Sequence, residues 1–114
     1  HVRVACPPII APCFYGIDMS TIGELFAPHF MDGNELTIEM QDAMAKELKA
    51  DSLRYLPVAS IAAAVGFDRS ELCQACITGE YPTPTGQQLY SIAIDNARHG
   101  NDTTRTYEAE PPKV

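Results

Sequence analysis

The sequence has 114 residues and a net charge of −7, with 8 Lys and Arg residues against 15 Asp and Glu residues. This length allows one domain at most, and a hydrophobic fraction of 46% with 20% charged residues excludes wholesale disorder. The acidic balance argues against a nucleic-acid partner, because phosphate binding depends on clustered Lys and Arg. No apolar run approaches the roughly 20 residues that a membrane-spanning helix needs, so no membrane partner is expected either.

The chain opens in a predicted strand. Val2, Val4 and Cys6 occupy alternate positions, which predicts a strand over residues 1–6 with these three side chains on its packed face. Pro7 ends the strand, because proline has no backbone N–H to donate to a sheet. Since the first residue already belongs to a strand and is not Met, we expect a fragment of a longer protein.

A capping pair marks the first predicted helix. Thr21 and Glu24 have the spacing of a capping box, so a helix is expected from there to Ala27, where Pro28 stops it. The clearest helix follows, because apolar residues between positions 36 and 48 recur at helical spacing. The residues of its predicted buried stripe are Met40, Ala43, Met44 and Leu48.

A second strand and two more helices complete the predicted elements. Residues 52–56 predict a strand that ends at Pro57, and the small amphipathic helix after it is closed by Gly66, the residue type that commonly follows a helix. Residues 77–81 are interpreted as an extended segment. Residues 87–98 predict the last helix.

Strands that alternate with helices indicate an α/β fold for residues 1–100. From residue 101 onward the chain is polar and has no apolar periodicity. We expect residues 101–114 to form a disordered polar tail, because such a segment buries too little apolar surface to offset its ordering entropy.

Four cysteines are the residues with the clearest chemical potential. Cys73 and Cys76 have C-x-x-C spacing, which brings two thiolates onto one metal ion or cluster. A zinc site usually adds a second pair of ligands, but the three histidines of this chain are scattered along the sequence. A thioredoxin-like site would follow a strand directly, but a polar connector precedes this motif. Structural disulfides are not the default without a secretory signal, and buried cysteines that act as small hydrophobes remain the alternative.

Three stretches of the sequence resemble the amidophosphoribosyltransferases, also called glutamine phosphoribosylpyrophosphate amidotransferases. The first joins HVRVACPPI at residues 1–9 to PCFYGIDM at residues 12–19; the others are ADSLRYL at residues 50–56 and CQACITGEYPT at residues 73–83. Three motifs in this order are specific, and the resemblance covers residues 2–98. It implies that the α/β fold is the C-terminal part of a type I phosphoribosyltransferase domain.

The resemblance also implies an activity. Enzymes of this family form 5-phosphoribosylamine from phosphoribosyl pyrophosphate and glutamine, the first committed step of de novo purine biosynthesis, with Mg²⁺ in the transferase domain. Neither the glutaminase domain nor the acidic phosphoribosyl pyrophosphate loop has a counterpart here, so we expect no catalytic residue, no Mg²⁺ ligand and no activity from this chain alone. The implied partners are the remainder of the full-length chain and the other subunits of a cytoplasmic homotetramer.

One branch of the family holds a [4Fe–4S] cluster, and the resemblance implies where its ligands lie. Cys13, Cys73 and Cys76 match three of the four cysteines, and the fourth would lie upstream of this chain. Soft thiolate ligands suit the charge and polarisability of such a cluster. Cys6 stands where the family more often has Ser, so we interpret it as a bystander on the packed face of its strand; the rival hypothesis makes it the fourth ligand.

Further residues within the motifs receive structural interpretations. Packing or hydrogen bonding explains Tyr15, Tyr55 and Tyr81. Lys49 stands where the family commonly has the Gly that closes the preceding helix, which weakens the expectation of a helix cap there. The alternative to an enzyme segment is a free-standing structural or interaction module with a zinc or iron–sulfur site held by cysteines.

Overall fold

A computed structural model of the chain describes residues 1–17, 19 and 21–99. Its strands and α-helices are, in chain order, β1 (Val2–Val4), α1 (Ile38–Glu47), β2 (Leu53–Tyr55), α2 (Val58–Val65), α3 (Ala75–Thr78) and α4 (Pro84–Arg98). Short 3₁₀ turns lie at Ile22–Glu24, Ala27–His29 and Arg69–Glu71. This mixture of helices with a small sheet confirms the α/β class. The tail predicted for residues 101–114 lies outside the described residues.

The two strands pair in parallel, with Val2 opposite Leu53 and Val4 opposite Tyr55. Hydrogen bonds extend the ladder at both ends, from Val2 N to the Ser52 carbonyl (2.8 Å) and from Leu56 N to the Val4 carbonyl (3.1 Å). Both strands fall inside the ranges that alternation and β-branched residues predict, so the sequence locates the sheet correctly. Across the described residues, no helix is long and apolar enough to cross a membrane.

Helix α1 packs on β2 through a face that includes a buried glutamine. Thr37 caps the helix, since its Oγ1 accepts a hydrogen bond from Met40 N at 3.1 Å. Gln41, Met44 and Ala45 are its buried residues. The predicted stripe is therefore wrong except at Met44. The residues of that stripe that are not buried are Met40, Ala43 and Leu48.

The reason for this difference lies in the side chain of Gln41. Its Oε1 accepts a hydrogen bond from Tyr55 N at 2.9 Å, and its Nε2 donates to the Thr37 carbonyl at 3.2 Å. Because both polar ends are bonded, the glutamine can lie against the sheet, and this turns the buried face away from Ala43 and Leu48.

Two predicted segments differ in local structure. The helix predicted from Thr21 is broken into two 3₁₀ turns, because Leu25 is extended (φ −73°, ψ 135°). The capping contact of Glu24 still forms, with Thr21 N donating to its Oε2 at 3.3 Å. The stretch after Cys76, predicted to be extended, is instead the end of the short helix α3, which buries Ile77 and closes at Gly79 (φ 80°).

The remaining helices agree with the sequence apart from one boundary. Helix α2 ends at Gly66, whose φ of 74° is left-handed. Helix α4 begins at Pro84, three residues before its predicted start, because Thr83 Oγ1 accepts a hydrogen bond from Gly86 N at 3.1 Å and so caps the first turn.

Two clusters of buried residues form the core. One joins α1 to β2 through Ala27, Met44, Ala45 and Leu53. The other consists of Ile10, Ala11, Ala75 and Tyr81, with Phe14, Met31 and Tyr90 packed against it. This second cluster lies between the segment that carries Cys13 and the helix that carries Cys76, so it positions the candidate site.

Candidate functional site

The loop that contains Cys13 is bound directly to the C-x-x-C segment. We call residues 10–15 the Cys13 loop and residues 73–76 the C-x-x-C segment. Ile10 N and Ala11 N both donate to the Cys76 carbonyl, at 2.8 and 3.1 Å. Ala11 is fully buried beneath this contact. The fold thereby brings together two stretches that are far apart in the sequence.

A tyrosine hydroxyl provides a second connection between the same stretches. Tyr81 Oη donates to the Pro12 carbonyl at 2.5 Å, across a separation of 69 residues. The Tyr81 ring packs against Phe14 and Tyr90, with centroid distances of 5.4 and 5.2 Å. Its backbone N–H donates to Gln87 Oε1 at 3.1 Å, which ties it to α4 as well.

Burial is the main reason why the Tyr81 phenol stays protonated. Burial raises the pKa of Tyr81 most, and the neighbouring Tyr90, Cys76, Cys13 and Tyr15 raise it further. The hydroxyl therefore remains a hydrogen-bond donor at neutral and moderately alkaline pH.

The thiol of Cys76 is influenced by the other three cysteines. Burial raises the pKa of Cys76 most, the nearby Cys13 thiol raises it next, and Cys73 and Cys6 add smaller effects in the same direction. Metal binding requires the thiolate, so protons compete with metal ions at this position over a wider pH range than at a free cysteine.

The accessibility of the cysteines differs. Cys73 is exposed, whereas Cys13 and Cys76 are half-buried. Cys13 Sγ accepts a weak hydrogen bond from Tyr15 N at 3.4 Å. All four cysteines are free thiols. Of the three cysteines singled out by the resemblance, Cys73 is therefore the one most open to solvent.

The position of Cys6 corrects the sequence interpretation. We expected it on the packed face of the first strand, but it is exposed, and its Sγ donates to the Pro7 carbonyl at 3.1 Å. The strand ends at Val4 and the chain bends over the next two residues, so strand alternation no longer sets where residue 6 points. Cys6 is the last and smallest of the causes that raise the pKa of Cys76.

The donor types at this site suit a soft metal centre, because thiolates are the usual ligands of zinc and of iron–sulfur clusters. Within residues 1–17, 19 and 21–99, no three His, Cys, Asp or Glu side chains are already arranged to hold a metal ion. The residues therefore fit such a centre in kind, and loading would require the thiols to draw closer.

The sequence did not indicate that Thr83 and Gly86 contact Tyr15 at the end of the Cys13 loop. Tyr15 Oη lies 2.8 Å from Thr83 Oγ1. A Cβ at Gly86 would come within 2.0 Å of the same Tyr15 oxygen, so this glycine makes room for the tyrosine. The interpretation of Tyr15 and Tyr81 as packing and hydrogen-bonding residues agrees with these contacts. Their partners could not be predicted from the sequence, because they lie far away along the chain.

Comparison with known proteins places most of this chain beside one kind of enzyme. It is 41% identical over 83 residues to an amidophosphoribosyltransferase of Methanocaldococcus jannaschii, covering 73% of this chain and 15% of the relative. It is 37% identical over 106 residues to that of Mycobacterium tuberculosis (88% of this chain, 19% of the relative). It is 31% identical over 110 residues to the chloroplastic enzyme of Glycine max (96% of this chain, 18% of the relative).

These relatives are much longer than the chain itself, which spans less than a fifth of their length. No family model and no solved structure matches the sequence. The similarity therefore concerns one segment of each relative.

Proposed function

This chain is related to the amidophosphoribosyltransferases over most of its length, and we propose that it works as part of such an enzyme. The reaction would form 5-phosphoribosylamine from phosphoribosyl pyrophosphate and glutamine. The observation that carries the proposal is the identity of 31–42% to several such enzymes. The free-standing module considered as an alternative has no comparable support.

Within that enzyme we assign this chain a structural part. It has no counterpart of the glutaminase nucleophile or of the acidic phosphoribosyl pyrophosphate loop, so it supplies no catalytic residue. Its partners under this proposal are the remainder of the enzyme and further subunits of a homotetramer in the cytoplasm.

We further propose that Cys13, Cys73 and Cys76 bind a [4Fe–4S] cluster, with a fourth ligand from another part of the enzyme. When bound, the cluster would supply a structural cross-link between the Cys13 loop and the C-x-x-C segment. The hydrogen bonds from Ile10 N and Ala11 N to the Cys76 carbonyl support this proposal, because they bring the two stretches together without a metal.

The activity is tested with the full-length protein that contains this sequence. We expect 5-phosphoribosylamine to form from phosphoribosyl pyrophosphate and glutamine with the full-length protein, and none to form with the 114-residue chain alone. A full-length protein without this activity would contradict the proposed function. Turnover by the chain alone would contradict its structural role.

The cluster is tested by iron and sulfide analysis of the full-length protein purified without oxygen. Cys13→Ser, Cys73→Ser and Cys76→Ser should each remove most of the iron, because a lost thiolate leaves the cluster incompletely ligated. Cys6→Ser is the matched control and should retain it. Wild-type iron content in Cys76→Ser would refute the ligand assignment, and iron loss in Cys6→Ser would make Cys6 a ligand.

A further inference from the structure

Tyr81 connects the Cys13 loop to the chain just after the C-x-x-C segment; we call Cys13, Cys73 and Cys76 together the thiol site. It follows the C-x-x-C segment by five residues, and its hydroxyl donates to the carbonyl of Pro12, the residue before Cys13, at 2.5 Å. Its side chain is 9% exposed. This buried hydrogen bond holds the Cys13 loop near the C-x-x-C segment and so limits the distance between Cys13 and Cys76.

The hydrogen bond from Tyr81 reaches Pro12, the one residue of the Cys13 loop that has no backbone N–H. Pro12 has no backbone N–H, so its carbonyl is the only main-chain polar group through which this residue can be anchored. On one side of it, Ile10 N and Ala11 N are held by the Cys76 carbonyl. On the other side, Tyr15 is held by Thr83 at 2.8 Å.

The Tyr81 ring itself is held in place from several directions. It lies 5.4 Å from the Phe14 ring and 5.2 Å from the Tyr90 ring, measured between centroids. The backbone N–H of Tyr81 donates to Gln87 Oε1 at 3.1 Å. Because packing fixes the ring, the hydroxyl donor has a defined position. A substitution that removes only the hydroxyl would therefore abolish the hydrogen bond and leave the ring packing in place.

We propose that Tyr81 is a positioning residue of the thiol site, whose hydroxyl holds Cys13 where it can bind the same soft metal centre as Cys76. This inference rests on the proposed metal-binding role of the three cysteines. Residues that orient metal ligands without touching the metal commonly change its affinity by about tenfold or more when they are replaced. The sequence-based interpretation gave Tyr81 a packing or hydrogen-bonding role only.

The test replaces Tyr81 with phenylalanine in the full-length protein, which keeps the ring and removes the donor. Metal-free, reduced protein is titrated with Cd²⁺, and the ultraviolet thiolate-to-metal absorption reports both affinity and the number of bound thiolates. We expect Tyr81→Phe to bind Cd²⁺ about tenfold more weakly, with the absorption of one thiolate lost. Tyr90→Phe is the matched control and should bind as wild type, since no hydrogen bond of its hydroxyl is seen in the described residues.

A second, metal-free measurement separates this inference from the proposed function. In protein that carries Cys6→Ser and Cys73→Ser, a short bifunctional thiol reagent should cross-link Cys13 to Cys76, as quantified by peptide mapping. We expect the cross-linking rate to fall several-fold in Tyr81→Phe and to recover with 4-aminophenylalanine at position 81, which restores a donor. That recovery would not follow from a general loss of folding.

The outcomes differ for the two claims. If wild-type protein binds no Cd²⁺ through these cysteines while Tyr81→Phe still slows cross-linking, the metal proposal fails and the positioning role stands. If wild-type protein binds Cd²⁺ through three thiolates and Tyr81→Phe matches it in both measurements, the positioning role is refuted. If Tyr81→Phe does not fold, the 4-aminophenylalanine variant carries the test, and its failure to bind Cd²⁺ when folded would also overturn the inference.

Discussion

Lys49 shows how one residue can hold an unfavourable conformation when its neighbours determine it. Its φ of 56° is left-handed, and it is the only residue other than glycine with positive φ among those described. It lies just after α1, where Lys49 N donates to the Lys46 carbonyl at 3.1 Å and Ala50 N donates to the Ala45 carbonyl at 2.8 Å. These bonds close the helix as a glycine cap would, although lysine has a Cβ that disfavours this conformation.

Replacing this lysine with glycine should therefore stabilise the chain. The left-handed conformation costs a residue with a Cβ roughly 1–2 kcal/mol, and the greater freedom of glycine in the unfolded chain returns about half of that gain. We expect Lys49→Gly to raise the free energy of unfolding by about 0.5–1 kcal/mol, measured by urea denaturation. Lys46→Gly, inside the last turn of α1, is the control and should lower it by about 1 kcal/mol. Equal effects would contradict this explanation.

At the scale of elements, Gln41 joins α1 to β2 by closing the free edge of the strand. Its Oε1 accepts from Tyr55 N at 2.9 Å, and the residue is 7% exposed. Methionine has a similar shape but no such acceptor, so Gln41→Met leaves the half-buried Tyr55 N–H without a partner. We expect it to lower the free energy of unfolding by about 1–3 kcal/mol in urea denaturation. The exposed Gln88 is the matched control, and Gln88→Met should change stability by less than about 0.5 kcal/mol.

Elements that depend on local patterns were predicted better from the sequence than elements that depend on tertiary contacts. Both strands and the end of α2 at Gly66 follow from local patterns, namely alternation and the left-handed preference of glycine. The buried face of α1 does not, because a polar residue such as Gln41 is expected on the surface until its tertiary partner, Tyr55 N, is known. The short helix α3 likewise depends on burying Ala75 and Ile77, which overrides the extended preference of its β-branched residues.

The candidate site likewise has one feature that the local sequence predicts and others that only packing determines. The spacing of Cys73 and Cys76 is visible in the sequence, but their relation to Cys13 came only from resemblance to known enzymes. The hydrogen bond between Tyr81 and Pro12 spans 69 residues, so no window of sequence could reveal it. Local patterns predict what one segment does, whereas the geometry between two segments is set by packing.

At the scale of the whole molecule, several large apolar side chains of the described residues are exposed. Helix α2 consists of small and apolar residues and one serine, yet none of its side chains is fully buried. Val65 is 52% exposed and Phe67 is 56% exposed. The chain spans less than a fifth of the length of its relatives, and under the proposed function the remainder of the enzyme would cover such surfaces.

The stability of the whole chain should fall at alkaline pH, because partial or full burial raises the pKa of several of its thiol and phenol groups. Burial raises the pKa of Cys76, Tyr81 and Tyr90 above their ordinary values. A group that loses its proton more readily when unfolded stabilises the fold fully below its unfolded pKa, and this contribution disappears as pH rises through its folded pKa. Each deprotonation also adds negative charge to a chain that already carries −7, which increases repulsion within the compact state.

We therefore expect the free energy of unfolding of the reduced, metal-free chain to decline as pH rises above about 8.5, where an unfolded thiol ionises, with a further decline above about 10, where unfolded phenols ionise. Urea denaturation at pH 7 to 11 measures both. Cys76→Ala should remove part of the first decline, because it removes a half-buried thiol whose pKa is raised, and Tyr90→Phe should remove part of the second. Cys6→Ala is the control for the first, since that thiol is exposed and its loss should leave most of the slope intact. A stability that stays level to pH 11 would contradict burial of these groups in neutral form.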